Sequence, residues 1–205
     1  MTRETERLER SSSDSGSSAT SGHHVCPWWV GYLLLNPLRR LREDPEKMLR
    51  PHVAPGMRVL DVGCAMGYFS LPLARLVGPN GRAICVDLQE RMIARLLKRA
   101  RRAGLAERIT ARVSTPGNLG VDDLAGQIDL ALAIHVVHEV PDAAAHFREL
   151  FRLLRPGGRL LYVEPKGHVK EAEYERFLQL AVEAGFKRVD CDESIRSRKT
   201  LLKRP

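Results

Sequence analysis

The residues best suited to chemistry in this chain fall in three short stretches. In VLDVGCAMGYFS, Val59 to Ser70, an apolar run carries Asp61, and Gly63 and Gly67 then bracket Cys64, Ala65 and Met66. In AICVDLQ a second apolar run reaches Asp87, twenty residues after Gly67, and in IHVVHEVPD a third reaches His135, His138 and Glu139. An acidic residue at the end of a strand, followed by a turn with so little side chain, suits a nucleotide-type ligand, because glycine lets the backbone come close. A carboxylate placed like Asp87 accepts both hydroxyls of a ribose. Imidazoles titrate near neutrality, so His135, nearest the strand end, suits a base or a substrate-orienting donor.

The charge of that ligand follows from the glycine spacing. A turn from a central strand into a helix presents free backbone N–H groups and the positive end of the helix dipole to an anionic group. The dinucleotide fingerprint G-x-G-x-x-G sets its last glycine five residues after its first, so that the loop goes round a pyrophosphate. Here that position is Tyr68, and the spacing fails. D-x-G-x-x-x-G, with Ala65 as the middle small residue, makes a tighter turn that suits a ligand with one carboxylate and no phosphate. S-adenosylmethionine is such a ligand. The acid at Asp87 is shared with nicotinamide enzymes and does not discriminate by itself.

For these residues to meet, the apolar runs must be strands whose carboxyl ends share an edge. At 205 residues the chain holds one domain with a full core plus a tail. Besides Met1, residues 1–22 contain one large apolar side chain, Leu8, in a Ser/Gly-rich tract, and are expected to be a disordered tail. Residues 23–56 read as an N-terminal helical cap or lid, broken at Pro37 and restarted where Asp44 caps a helix that has Pro45 at its first position. Over 57–205, short β-branched runs alternate with amphipathic segments, the pattern of βαβ units around a mostly parallel sheet. The spacing predicts strands over 58–62, 83–87, 109–114, 128–134 and 159–164. Helices are predicted to begin near Gly67, Gln89 and Asp142, with a short one after Val121. A last helix, 170–184, stops at Gly185, and strands 187–191 and 199–203 flank the polar turn DESIRSR.

With those elements in place, the chain resembles the class I S-adenosylmethionine-dependent methyltransferases in VLDVGCAMG, AICVDLQ, IDLALAIHVVHEVPD and LFRLLRPGGRLLYVEP, which occur in that family's order. The resemblance covers roughly Arg58 to Pro165 and is nearest to the small single-domain branch that includes quinone C-methyltransferases. It implies an α/β fold, a Rossmann-like doubly wound seven-stranded sheet of order 3-2-1-4-5-7-6 with the last strand antiparallel. It also implies that Asp61, Gly63, Cys64, Ala65 and Gly67 line the methionine portion of S-adenosylmethionine, that Asp87 holds the ribose, and that Leu88 lies against the adenine. Ala65 stands where the family usually has glycine. The family's third strand usually ends in an Asp that accepts from the adenine amino group, whereas this chain offers Ser114, Thr115 and Asn118, with Thr115 at the matching position.

The acceptor side is read from what surrounds these motifs. His135, His138 and Glu139 are the catalytic candidates, His135 as base and the other two as anchors of the loop and the following helix. EPKGHV adds Glu164, Lys166 and His168, as substrate contacts or as a solvated approach to a helix. Trp28, Trp29 and Tyr32 in the cap are either an aromatic lid over the substrate or core packing. The expected function is methyl transfer to a small, apolar or aromatic acceptor, quinone-like or lipid-like. The alternatives are an RNA or protein methyltransferase, or a binding module without catalysis. Net charge +8 and the basic run Arg91, Arg95, Lys98, Arg99, Arg101 and Arg102 motivate the nucleic-acid alternative, although such a run also forms a solvated helix face. His23, His24 and Cys26 do not complete a metal site, so no metal is expected. The four cysteines form no C-x-x-C pair, and the tail carries acids and no apolar leader. A cytoplasmic protein without a transmembrane segment is expected, with peripheral membrane contact left open.

Overall fold

In the computed structural model, which describes residues 43–193 and 196–205, the apolar runs form seven strands. These are β1 (Arg58–Val62), β2 (Arg82–Asp87), β3 (Ile109–Val113), β4 (Ile128–Ile134), β5 (Leu154–Pro165), β6 (Lys187–Glu193) and β7 (Ser197–Lys203). They make one sheet in the order β3-β2-β1-β4-β5-β7-β6. Neighbours among β1 to β5 pair in parallel, and β7 runs antiparallel to both β5 and β6. This is the order and direction expected. Parallel strands need cover on both faces, which is why β1 and β4 read as near-continuous apolar runs.

That cover comes from two helical layers. On one face, α1 (Pro45–Leu49), α2 (Ser70–Leu76) and α3 (Glu90–Arg102) bury Leu49, Leu73 and Leu96 among the alternate residues of β1, β2 and β4. On the other, α4 (Ala143–Leu153) and α5 (Glu171–Glu183) bury Phe147, Leu150, Phe177 and Leu178. Asp44 caps α1 as the sequence implies, its Oδ1 accepting the Glu46 amide at 2.9 Å.

Three boundaries differ from the sequence expectation, each for a local reason. The helix expected near Gly67 starts at Ser70, because Gly67 has φ +84° and belongs to the turn. β5 starts at Leu154, which pairs with Ile128 before the register shifts across Pro156-Gly157-Gly158. The segment after Val121 makes a single 3-10 turn, Asp122–Leu124, so β3 and β4 are joined without an α-helix.

An aromatic seam fixes α4 to the sheet. The fully buried Phe147 ring meets Tyr162 of β5 edge to face at 5.8 Å, and Tyr162 stacks on Tyr174 of α5 at 4.9 Å. Such rings contribute beyond their area when their quadrupoles align this way. Replacing Phe147 by Ala is expected to destabilise the protein by about 3–5 kcal/mol, measured by urea unfolding.

Candidate active site

The carboxyl ends of β1 to β5 all reach one edge of the sheet, and a cavity of about 420 Å³ lies along it, touching Val62, Asp87, Ser114, Ile134 and Pro165. Ligands bind at this edge of open α/β sheets, where the strand order reverses between β1 and β4. The volume lies within the range of small-molecule sites.

At the β1–β2 end, the glycine turn is folded back onto β2. The amides of Gly63 and Cys64 donate to the Val86 carbonyl at 2.9 and 3.0 Å, Ala65 donates to Oδ2 of Asp87 at 2.9 Å, and Gly67 donates to Cys64 at 2.9 Å. These four amides are therefore not available to an anion, contrary to the sequence expectation of free N–H groups. What the turn offers is closeness. Gly63 walls the cavity at φ +68°, and a Cβ there would come 2.9 Å from Cγ2 of Val136. Gly67 (φ +84°) faces away, where a Cβ would meet Cδ1 of Leu96 on α3 at 2.4 Å. Ala65 holds φ +46°, a left-handed conformation that favours glycine.

The other cofactor candidates divide between wall and support. Asp87 walls the cavity, with Oδ1 also accepting the Gln89 amide at 2.9 Å. Burial raises its pKa while those two amides lower it. A carboxylate has about four acceptor positions, so two remain for hydroxyl donors. Leu88, 41% exposed, and Thr115 also wall the cavity. Asp61 and Cys64 are buried beneath the turn and do not reach the cavity. The Asp61 carboxyl takes the Ser70 hydroxyl at 2.6 Å, and burial pushes its pKa up to about 7.

At the β4–β5 end, two histidines are held differently. His135 has φ +58°, its amide donates to the Val163 carbonyl at 2.8 Å, and its Nε2 lies 3.4 Å from Oε1 of Glu43. His138 is gripped by Glu164, a β5 side chain only 1% exposed. Oε1 of Glu164 accepts the amides of Val137 and His138 at 3.0 and 3.3 Å, and Oε2 lies 2.7 Å from Nδ1 of His138. A carboxylate only accepts, so the proton sits on Nδ1 and Nε2 is the nitrogen offered to a ligand. The Glu164 bond raises the His138 pKa against the lowering effect of burial. Glu139 and His168 share this wall, His168 set edge to face with His138 at 5.8 Å. Burial raises the Glu139 pKa.

Glu43, His146 and Glu149 were not singled out in the sequence. His146 and Glu149 sit at helical spacing within HFREL, where a histidine reads as core, and Glu43 precedes the capped helix with no motif around it. Glu164, expected as a substrate contact or as part of a solvated helix approach, is buried and its carboxylate bonds His138 and two amides. The basic run on α3 is partly folded inward, because Arg99 donates to the Met66 carbonyl of the glycine turn. Trp28, Trp29 and Tyr32 lie outside the described residues. Among the described residues, no helix is long and apolar enough to cross a membrane.

Comparison with known proteins bears on the whole arrangement. A family model described as a methyltransferase domain matches residues 54–196. The ubiquinone biosynthesis O-methyltransferase of Methylocella silvestris is 33% identical over 141 residues, 66% of this chain and 51% of that protein. The arsenite methyltransferase of Aquipseudomonas alcaligenes is 31% identical over 163 residues, 76% of this chain and 47% of that protein. This chain thus spans about half the length of these two curated relatives. A SAM-dependent methyltransferase from Aquifex aeolicus, of known structure, shares the fold with a TM-score of 0.79 at 22% identity, covering 88% of this chain and 100% of that one.

Two buried groups set opposed pH dependences of stability. Burial lowers the His146 pKa from 6.5 to about 4, so the unfolded chain holds more protons between those values. Its contribution is complete above pH 6.5 and is lost as pH falls through 4, about 3 kcal/mol in all. Asp61, raised from 3.8 to about 7, does the reverse: the fold holds the extra proton, and stability falls as pH rises from 3.8 to 7. Urea unfolding between pH 4 and 7.5 should therefore give a flatter profile for the wild type than for either variant. Stability of His146→Phe should fall as pH rises, and that of Asp61→Asn should rise.

Proposed function

The chain belongs to the methyltransferase-domain family, the class I S-adenosylmethionine-dependent methyltransferases, and on that premise we propose that it methylates a small acceptor whose proton is taken by His138. One observation carries this reading. A single cavity has a ribose-type carboxylate, Asp87, at one end and a carboxylate-held imidazole, His138 with Glu164, at the other.

The residues present fit the cofactor. Gly63 leaves open a close approach that a Cβ would fill against Val136, Asp87 keeps two acceptor positions, and Leu88 offers an apolar surface to a flat base. When bound, S-adenosylmethionine supplies an electrophilic methyl carbon on a sulfonium. The chain's part is alignment and proton removal. Orientation of two reactants contributes about 7–11 kcal/mol to such a step, and burial excludes competing water. Nε2 of His138 would take the acceptor's proton, and Glu164 would neutralise the resulting imidazolium. His135, held at the strand end, orients the acceptor.

The lining supports a small uncharged acceptor over a polyanion. Among the described residues, the cavity wall carries Asp87, Glu139, Asp142 and Glu149 but no lysine or arginine, although the chain as a whole is +8. A phosphate backbone is held by cations. Quinone-like phenols match both this wall and the relative named for ubiquinone biosynthesis. Arsenite, the acceptor named for the other relative, fits the described residues less well, since Cys64 and Cys85 are buried away from the cavity.

Three measurements test the reading. Calorimetry should show S-adenosylhomocysteine binding that Asp87→Ala weakens at least tenfold and His138→Ala leaves within about twofold. Turnover of a phenol or hydroxyquinone panel should fall about 10²- to 10⁴-fold in His138→Ala, the range for loss of a general base. Because Glu164 raises the His138 pKa and the base must be neutral, kcat/KM should rise with pH through a value above 6.5. Glu164→Gln should move that limb to lower pH. Unchanged turnover in His138→Ala removes the base assignment, and tight tRNA binding at moderate salt would favour a nucleic-acid acceptor instead.

A further inference from the structure

The cofactor reading gives the ribose a carboxylate partner but gives the adenine base none from β3. Ser114 walls the cavity, whereas Thr115 and Asn118 turn their side chains to partners nearby in the chain. The Thr115 hydroxyl points to the Asn118 carbonyl at 3.5 Å, the Asn118 carboxamide oxygen takes the Gly120 amide at 2.6 Å, and Asn118 also bonds the Asp122 side chain. No carboxylate stands at the end of β3.

Across the cavity from this loop, one side chain is in the opposite condition. His146 on α4 forms part of the cavity wall and is only 7% exposed, and its Nε2 has no hydrogen-bond partner among the described residues. Buried polar groups are nearly always paired, so an orphaned one beside a cavity calls for a ligand. Burial keeps the ring neutral at physiological pH, one nitrogen donating and the other accepting. Glu149, one helical turn further along and on the same wall, anchors the neighbouring loop by accepting the Leu119 amide at 2.9 Å on Oε1. The cavity runs continuously from Asp87 and Leu88 past Ser114 to these two residues. Phe147, locked into the aromatic seam, fixes α4 so that its neighbour His146 stays at the wall.

We propose that His146, with Glu149 beside it, reads the polar edge of adenine from α4, in place of a carboxylate at the end of β3. This rests on the cofactor reading above. Adenine's edge pairs an amino donor with a ring-nitrogen acceptor, and a neutral imidazole next to a carboxylate offers the complementary set. A site built to hydrogen-bond a base edge rejects an analogue whose donors and acceptors are reversed.

The test compares S-adenosylhomocysteine with S-inosylhomocysteine, in which the amino group is replaced by oxygen, by calorimetry on the full chain. The wild type should prefer the adenosine compound at least tenfold. His146→Phe, which keeps an aromatic ring in the buried site, should weaken that compound about tenfold and narrow the preference, and His146→Gln should restore part of it. Glu149→Gln should narrow the preference as well. Circular dichroism confirms that each variant is folded. Wild-type affinity and wild-type preference in both His146→Phe and Glu149→Gln would overturn the assignment, as would a change confined to the acceptor's KM. No binding of either compound by the wild type would instead overturn the cofactor reading itself.

Discussion

The hydrogen bond from the Ala65 amide to the Asp87 carboxylate is the constraint on which the site depends. It ties the turn after β1 to the end of β2, while the Val86 carbonyl receives the two preceding amides. Without that tie a small-residue turn would have many conformations to lose on binding, since glycine loses more freedom than any other residue. With it, the turn is set before any ligand arrives. The same carboxylate therefore shapes the cradle and supplies the acceptor positions that face it, so the geometry of one cannot change without the other. Gly67 completes the arrangement from the other side, letting Leu96 of α3 press against the turn.

Among the described residues, two that are not glycine hold left-handed backbone, Ala65 at φ +46° and His135 at φ +58°, and both belong to the loops that bound the cavity. Each such residue costs about 1–3 kcal/mol and persists where its surroundings over-determine it. For Ala65 the surroundings are the Asp87 carboxylate. For His135 they are the Val163 carbonyl behind its amide and Glu43 beside its ring. The strain turns His135 out of the line of β4 just where the strand reaches the cavity, and the loop then presents His138 to Glu164 on the next strand. The imidazole that sequence order places nearest the strand end thus faces Glu43, and His138 faces Glu164.

The fold was legible in the sequence because its signals are periodic. Parallel strands buried on both faces announce themselves as apolar runs, and the two trailing strands as a pair around a polar turn; their order and the antiparallel β7 come from the family resemblance and agree with the sheet observed. Asp87 and the glycine turn were legible because spacing alone separates them from a pyrophosphate loop. What the sequence could not reveal is pairing across the sheet. Glu164 lies 26 positions from His138 and meets it only because β4 and β5 are adjacent in parallel register, with Ile134 opposite Val163. His146 was hidden for another reason: it falls on the buried face of an amphipathic helix, where its polarity carries no periodic signature. The free amides expected of the turn were misjudged because a tight bend satisfies its own donors when a carbonyl and a carboxylate stand behind it.

Electrostatics join these parts into one site. The chain is basic, yet among the described residues its cavity wall holds four carboxylates and no fixed cation, and part of the positive charge is carried on α3. In a site partly withdrawn from water, such a wall acts more strongly than the same charges would at the surface. Bound S-adenosylmethionine would bring a cationic sulfonium, which such a wall would favour over a neutral product. Left unchecked, that preference would deepen the ground state as well as help product leave. Burial limits it, because Asp87 and Glu139 both have raised pKa values and hold their charge less firmly than exposed acids. The negative charge that matters for proton removal is then Glu164 behind His138, placed to stabilise an imidazolium formed as the acceptor's proton is taken.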